Sequence, residues 1–309
     1  MASVTLAESA KLAQDDLVAG VIENVITVNE MFDVLPFDGI DGNALAYNRE
    51  NVLGDVQMAG VGSTITAKAA ATFTQVTSTL TTIIGDAEVN GLIQATRSGD
   101  GNDQKAIQIA SKAKSCGRKF QDQMINGDGT GNNMSGLLAL CAASQKIEAN
   151  NGSANGADLT LEDLDALIDM VTDKDGQVDF LMMPARTRRK YLSILRQLGG
   201  ASIGDVVKLA SGREVPAYRG IPIFRNDWIP TNQVKGTATN ATTIFAGNFD
   251  DGSRSHGIAG LTAQNMAGIN IKEVGEKEDM DESITRIVWY SGLALFSEKG
   301  LAALTGVIS

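Results

Sequence analysis

The sequence predicts an α+β fold, in which helices and strands occupy separate stretches of the chain. One long helix is predicted near the middle, and strand-like runs dominate the last third. Nowhere do strands and helices alternate in a regular βαβ order. With 309 residues, 43% of them hydrophobic and 20% charged, the chain is long enough to bury a sizeable core.

The N-terminal quarter of the chain has little capacity to form a core of its own. Residues 3–26 carry an incomplete apolar stripe, which indicates an arm with a short helix. A long hairpin is predicted next, with a glycine-rich tip and a second strand whose side chains alternate from Thr64 to Phe73. The alternation changes phase near Val76, which predicts a bulge or bend. Isolated hairpins are marginally stable in water, so this hairpin needs a partner surface.

The clearest helix is predicted over residues 103–125, where apolar side chains recur every three or four residues. Asp103 is a suitable N-cap. The glycine-rich run over 126–131 ends the helix, because such a sequence favours turns. The remaining predicted elements are a helix starting at Thr160, a buried strand over 180–184, a basic helix over 186–196, and strands over 221–224, 243–246, 283–295 and 301–308.

Composition and motifs argue against several classes of function. The net charge of −11 is opposite to that of a protein which grips nucleic-acid phosphates over a broad surface. The single histidine, His256, falls in a predicted exposed turn, which argues against histidine-based catalysis or zinc binding. The run 126–131 matches the start of a calcium loop, but Leu137 stands where the bidentate glutamate is required. We therefore predict no catalytic, cofactor-binding or metal-binding residue, and no enzyme activity.

Other features are assigned structural roles. The two cysteines, Cys116 and Cys141, are predicted to be reduced core thiols. No run approaches the ~20 apolar residues of a membrane span, so no membrane partner is expected. The acidic run over 273–282 is interpreted as a solvated hairpin tip that could face the basic helix of a neighbouring subunit.

Taken in order, these segments resemble the HK97-type fold of the major capsid proteins of tailed double-stranded DNA bacteriophages. The segments that carry the resemblance are the glycine-rich join from Ile125 to Leu138, the helix start Leu159–Leu164, the strand and Met-Pro step Phe180–Pro184, the turn and strand Tyr218–Ile223, and the strand Ile244–Phe249. Each motif is weak alone, and their order and spacing carry the comparison across nearly the whole chain.

The resemblance implies a division of the chain into the parts of that fold. These are an N-terminal arm (1–44), an extended β-hairpin called the E-loop (45–80), a peripheral domain (81–136) with a spine helix (103–125), an axial domain (137–251), return strands of the peripheral domain (252–295) and a C-terminal axial segment (296–309).

The implied function is that of a structural subunit which assembles into the pentamers and hexamers of an icosahedral capsid. The capsid would enclose DNA without sequence-specific binding, and the protein would reside in the virion after assembly in the host bacterial cytoplasm. Because the chain reaches the arm at once, a separate scaffolding protein is expected, together with a portal and decoration proteins. The alternative is the shell of an encapsulin-type nanocompartment; an extracellular adhesin is a third reading.

Eight residues are predicted to contact neighbouring subunits. They are Tyr47, Arg49, Lys68, Phe73, Arg186, Arg189, Glu276 and Asp279. Lys68 is the only lysine of the predicted E-loop, and some members of the family cross-link such a lysine to an asparagine. The sequence identifies neither the asparagine nor the acid for that reaction, so no cross-link is predicted.

Overall fold

The structure, a computed structural model, describes residues 30–97, 104–173, 176–197, 206–209 and 212–308. Most of the predicted arm and the predicted N-cap Asp103 lie outside the described residues. The described part is α+β, as predicted: two sheets, a separate hairpin and six helices. The helices are α1 (Gly91–Arg97), α2 (Gln104–Asn126), α3 (Leu137–Leu140), α4 (Ala149–Gly152), α5 (Leu161–Thr172) and α6 (Ala185–Gln197).

A five-stranded sheet packs against the long helix α2. Its strands are β1 (Phe37–Ile40), β4 (Thr81–Asn90), β13 (Ile258–Ala263), β14 (Asn270–Glu276) and β15 (Glu282–Leu295). The longest strand, β15, pairs with β4 along one edge and with β14 and β13 along the other. This strand therefore ties the whole sheet together.

Helix α2 is about 34 Å long at 1.5 Å per residue. Most of its predicted apolar stripe is buried, including Ile109, Ala113 and Phe120, whereas Ile107 is exposed. The ring of Phe120 stacks on that of Trp289 in β15, with 4.5 Å between centroids. Aromatic pairs of this kind contribute beyond their area burial, so this contact fixes the helix on the sheet.

A nine-stranded sheet forms the second part of the fold. Its strands are β5 (Lys146–Glu148), β6 (Ala157–Asp158), β7 (Phe180–Met183), β8 (Val206–Lys208), β9 (Glu214–Tyr218), β10 (Ile221–Arg225), β11 (Gln233–Lys235), β12 (Ala238–Gly247) and β16 (Leu301–Ile308). Phe180 and Met182 of β7 join the core that includes α2. The alternate residues Leu181 and Met183 join a second core beside α5. All four are buried, because the sheet is covered on both faces.

The predicted cap of α5 is confirmed. The hydroxyl of Thr160 accepts a hydrogen bond from the backbone N–H of Asp163 at 3.1 Å, and it donates to the Asp163 carboxylate at 2.7 Å. The first of these bonds is the N-cap half of a capping box, while the Asp163 carboxylate bonds the Thr160 hydroxyl and the backbone N–H of Asn150 (3.0 Å).

The turn after α2 is held by close backbone contacts and by one carboxylate. A Cβ on Gly127 would lie 2.1 Å from the carbonyl oxygen of Met134, so only glycine fits there. The Asp128 carboxylate accepts hydrogen bonds from the Thr130 hydroxyl (2.6 Å), the Asn133 amide (3.0 Å) and the Thr130 backbone N–H (3.1 Å). These hydrogen bonds lower the pKa of Asp128 to about 2, and the bond from the Thr130 hydroxyl has the largest effect.

The hairpin consists of β2 (Ala44–Val52) and β3 (Thr72–Thr79), paired antiparallel from Ala44 and Thr79 to Val52 and Thr72. The prediction of a strand from Thr64 is wrong, because residues 53–71 have no regular secondary structure. The alternating apolar side chains of that stretch are alanines and the exposed Ile65, and none of them is fully buried, so little burial favours a strand.

The predicted change of phase has two structural counterparts. The pairing register shifts between Glu50 and Val52, on the strand opposite the one that we expected. β3 ends at Thr79 and β4 begins at Thr81, where the chain leaves the hairpin and enters the five-stranded sheet. The strand is therefore interrupted at Leu80, four residues after the predicted position.

Candidate inter-subunit surface

The loop that closes the hairpin, residues 53–71, is held in shape by its own polar contacts. The backbone N–H of Asp55 donates to the carbonyl oxygen of Ala69 at 2.9 Å, which joins the two arms. The side-chain oxygen of Gln57 accepts from the backbone N–H groups of Thr66 (2.7 Å) and Ala67 (2.8 Å). Its amide group donates to the carbonyl oxygen of Thr64 at 3.0 Å. One glutamine thus fastens the two sides of the loop.

Large apolar side chains cover the outside of this loop and the adjacent strand ends. Those with more than half of their surface exposed are Val52, Leu53, Val56, Met58, Val61, Ile65 and Phe73. Met58 and Val61 are fully exposed. Seven large apolar side chains exposed on one segment mark an interaction surface. We call residues 52–73 the hairpin tip.

The base of the hairpin is attached to the end of β15. The hydroxyl of Tyr47 donates to the carbonyl oxygen of Leu295 at 2.7 Å, and its ring meets that of Phe296 edge-on at 5.2 Å. The guanidinium of Arg49 donates to the carbonyl oxygen of Phe296 at 3.0 Å and forms an ion pair with Glu298 at 3.4 Å. Tyr47 and Arg49 thus make contacts within their own chain, and their contact with neighbouring subunits stays a prediction.

The two other hairpin candidates, Lys68 and Phe73, are both exposed. Phe73 lies at the start of β3, opposite Glu50, with 65% of its surface accessible. Lys68 lies in the loop and has no ion-pair partner among the residues that the structure describes. Both side chains are therefore accessible to a neighbouring chain.

The four charged candidates lie on two separate elements. Arg186 and Arg189 are exposed on α6, and Glu276 and Asp279 are exposed at and after the end of β14. The structure does not bring the two groups together within the chain. Lys277, between the two acids, forms ion pairs with Glu88 at 2.7 Å and with Glu282 at 2.8 Å. These two carboxylates raise the pKa of Lys277.

Sequence reasoning missed the apolar side chains of the hairpin tip. The stretch around Gly54, Gly60 and Gly62 was predicted to be the glycine-rich tip of a hairpin that needs a partner surface, without a role for the individual apolar side chains between the glycines. The available signal was the recurrence of Leu53, Val56, Met58 and Val61 between glycines, where a solvent-exposed turn normally carries polar residues.

The groups that could carry chemistry are dispersed. His256 is partly exposed, with its Nδ1 2.9 Å from the Ser255 hydroxyl and its Nε2 4.0 Å from Asp251. Both cysteines are buried and unpaired, and burial raises the pKa of the Cys141 thiol to about 11. Among the described residues, no three histidine, cysteine, aspartate or glutamate side chains are grouped as a metal site requires. None of the helices in the described ranges has the length and apolar character needed to cross a membrane.

Solved structures with the same architecture belong to protein shells. The encapsulin SrpI in its holo complex, from Synechococcus elongatus PCC 7942, is 17% identical, with a TM-score of 0.70, and the match covers 90% of this chain and 87% of that one. The capsid protein of cyanophage A-1(L) is 12% identical, with a TM-score of 0.65 and coverages of 90% and 92%. The capsid of Myoviridae phage XM1 is 13% identical, with a TM-score of 0.58 and coverages of 90% and 91%.

The fold is therefore that of the HK97-like capsid and encapsulin structures. A model of the SU10 major capsid protein family matches residues 41–209, which is more than half of the chain. The chain belongs to the SU10 major capsid protein family. A search of curated protein sequences found no significant match. The chain is accordingly a structural subunit of a capsid shell, as the resemblance predicted.

Proposed function

We propose that each subunit lays its hairpin tip across a neighbouring copy and thereby closes fivefold and sixfold rings into an icosahedral shell around double-stranded DNA. The observation that carries this proposal is the exposed apolar surface of residues 52–73. Fully burying one such side chain contributes about 1.5–3 kcal/mol. Many equivalent contacts act together in a closed shell, so each contact can be weak.

The division of the chain follows from the same proposal. The segment 1–44 acts as the arm, 45–80 as the E-loop, 81–136 and 252–295 as the peripheral domain, and 137–251 with 296–309 as the axial domain. Helix α2 serves as the spine, because its buried stripe joins the two sheets. Arg186 and Arg189 of α6 remain candidates for contact with a neighbour's acids.

We propose further partners from the proposed function as a phage capsid subunit. A scaffolding protein directs assembly in the host cytoplasm, a portal occupies one vertex, and decoration proteins bind the finished shell. The enclosed DNA is not gripped tightly, since the net charge of −11 opposes broad contact with phosphates. The expected DNA contact is confinement without sequence recognition.

The hairpin proposal is tested by replacing residues 53–71 with Asn-Gly. These two residues favour a type I′ turn, which would join Val52 directly to its pairing partner Thr72. The shortened chain should fold with an unchanged unfolding midpoint and should form no shells by electron microscopy. Normal shells from this variant, under conditions in which the full chain assembles, would refute the role of the hairpin tip.

A second candidate function is the shell of an encapsulin-type compartment, favoured by the TM-score of 0.70 to SrpI. The two functions differ in contents. Particles isolated from the natural source should protect double-stranded DNA from nuclease if the chain forms a phage capsid. A co-purifying enzyme in place of DNA, with a cargo gene beside the shell gene, would support the compartment.

A further inference from the structure

A polar cleft of about 460 Å³ lies between the C-terminal half of α2 and the chain that follows β10. The residues that line it are Glu30, Arg118, Gln121, Arg213, Arg225, Asn226, Asp227 and Trp228. We call it the Arg118 cleft. It combines three arginines and two carboxylates, so its charged side chains carry one positive charge in excess.

Two of the three arginines have a carboxylate partner within the chain. Arg225 donates from its Nε to the Asp227 carboxylate at 2.7 Å. Arg213 forms an ion pair with Glu30 at 3.2 Å. Arg118 is exposed on α2 and has no hydrogen-bond or ion-pair partner among the residues in the described ranges. Glu30 also forms an ion pair with Arg188 at 3.4 Å, so the surroundings of the cleft are positively charged, and Arg118 is the arginine of the cleft without a carboxylate partner.

The cleft also contains two amide groups whose orientation is fixed by one tryptophan. The indole N–H of Trp228 donates to the side-chain oxygen of Gln121 at 2.9 Å, and its backbone N–H donates to that of Asn226 at 3.0 Å. Both amide oxygens are thus acceptors, which assigns the NH₂ positions. The NH₂ groups are buried and find no acceptor within the described part of the chain. Gln121 and Asn226 are 3% and 2% exposed.

These groups specify the chemistry of a ligand. A buried N–H group without an acceptor is destabilising, and here two such groups belong to residues that line one cleft beside the unpaired guanidinium of Arg118. A carboxylate supplies two acceptor oxygens and the compensating negative charge, and it forms its strongest hydrogen bonds with a charged donor. We propose that the Arg118 cleft binds a carboxylate from the acidic turn of a second copy, an inference that rests on the proposed assembly of the shell.

The acidic turn, residues 276–281, has the matching charges. Glu276, Glu278 and Asp279 are exposed, and none has an ion-pair partner among the described residues. Lys277 is neutralised by Glu88 and Glu282. The turn therefore presents a cluster of uncompensated carboxylates to a neighbour.

The acidic turn cannot reach the cleft of its own chain. Glu273, just before it, pairs with Lys105 near the start of α2, and Arg118 lies thirteen residues further along that helix, or about 20 Å. The strand gives a consistent distance. Trp289 of β15 stacks on Phe120, which lies at the same end of α2 as the cleft. Asp281 precedes Trp289 by eight residues, which is about 26 Å along an extended strand.

The contact must therefore join two different surfaces of two copies. Heterologous contacts of this type generate rings when the rotation between copies closes. The cleft lies near one end of α2 and the acidic turn near the other end, so one repeated interaction between them would be a heterologous contact between neighbouring copies.

Charge reversal tests the pairing. Arg118→Glu alone, and Glu276→Arg with Asp279→Arg alone, should each raise the protein concentration needed for assembly by about tenfold or more. All three substitutions in one chain should restore assembly. Lys114→Glu, an exposed lysine one turn earlier on α2 and outside the cleft, is the matched control and should have no such effect. All variants should keep the unfolding midpoint of the natural chain.

The alternative partner for the acidic turn is α6. If reversal of the acids rescues Arg186→Glu with Arg189→Glu and does not rescue Arg118→Glu, the acidic turn binds α6 and the inference is wrong. Unchanged assembly of Arg118→Glu, while the natural chain forms shells, would also overturn it and would leave the proposed function standing.

A second measurement does not depend on shells. Chains carrying Arg118→Cys and chains carrying Asp279→Cys are purified separately, mixed and oxidised. Because Cys116 and Cys141 are buried, the natural chain mixed with either variant should give little disulfide-linked dimer. A dimer specific to the mixture of the two variants is expected on a non-reducing gel. Its absence would overturn the inference even if the natural chain forms no particles.

Discussion

Replacing the two fully exposed residues of the hairpin tip, Met58 and Val61, by serine should impair assembly and leave the subunit intact. Each side chain contributes about 1.5–3 kcal/mol if a neighbouring copy buries it fully. The double variant therefore loses about 3–6 kcal/mol per contact. Since 1.4 kcal/mol corresponds to a factor of ten, the concentration required for assembly should rise by about two to four orders of magnitude.

The assay is light scattering against protein concentration, with electron microscopy to identify the particles. Thermal unfolding of the unassembled subunits provides the stability control, because neither side chain packs against its own chain. Val234→Ser is the matched surface control, since Val234 is 73% exposed on β11. An unchanged assembly threshold in the double variant would refute the role of the hairpin tip, and an equal rise with Val234→Ser would show that the tip has no special role.

Three further substitutions test the interior of the subunit. Tyr47→Phe removes the hydrogen bond to the Leu295 carbonyl oxygen and should lower the free energy of unfolding by about 0.5–1.5 kcal/mol in urea titrations. Phe120→Ala should lower it by about 3–5 kcal/mol, because the ring is fully buried; a loss below 1 kcal/mol would contradict the packing of α2. Asp128 has a pKa of about 2, lowered from 3.8, so its stabilisation is complete above pH 3.8 and is lost as the pH falls through 2. The difference in unfolding midpoint between the natural chain and Asp128→Ala should accordingly be largest near neutral pH and shrink below pH 4.

The elements that were predicted well are those whose buried face produces a regular spacing of apolar residues in the sequence. Helix α2 spans Gln104–Asn126 against a prediction of 103–125, because its stripe is buried in the core from Ile109 to Ile125. The buried strand Phe180–Met183 was equally clear, since both of its faces meet a core. Periodicity reports burial, so it identifies elements that are buried within the subunit.

The errors fall where that relation fails. The stretch from Thr64 alternates between small apolar and polar residues, but it is not buried in the subunit, and it forms a loop fastened by Gln57. Tyr47 and Arg49 have no sequence neighbour that would predict their attachment, because their partners lie about 250 positions later. The Arg118 cleft is also invisible in the sequence, since it gathers residues from three distant segments.

The three surfaces assigned to contacts between copies are joined through the same pair of elements, α2 and β15. The hairpin tip connects to β15 through hydrogen bonds of Tyr47 and Arg49 to the backbone at the end of that strand. The acidic turn immediately precedes the start of β15. The Arg118 cleft lies on α2, and Phe120 of that helix stacks on Trp289 of β15. A displacement at any of these contacts therefore acts on helix α2 and on strand β15, which is hydrogen-bonded to other strands along both of its edges. Close-packed interiors deform little, so a displacement at one contact is expected to move the other two as one body.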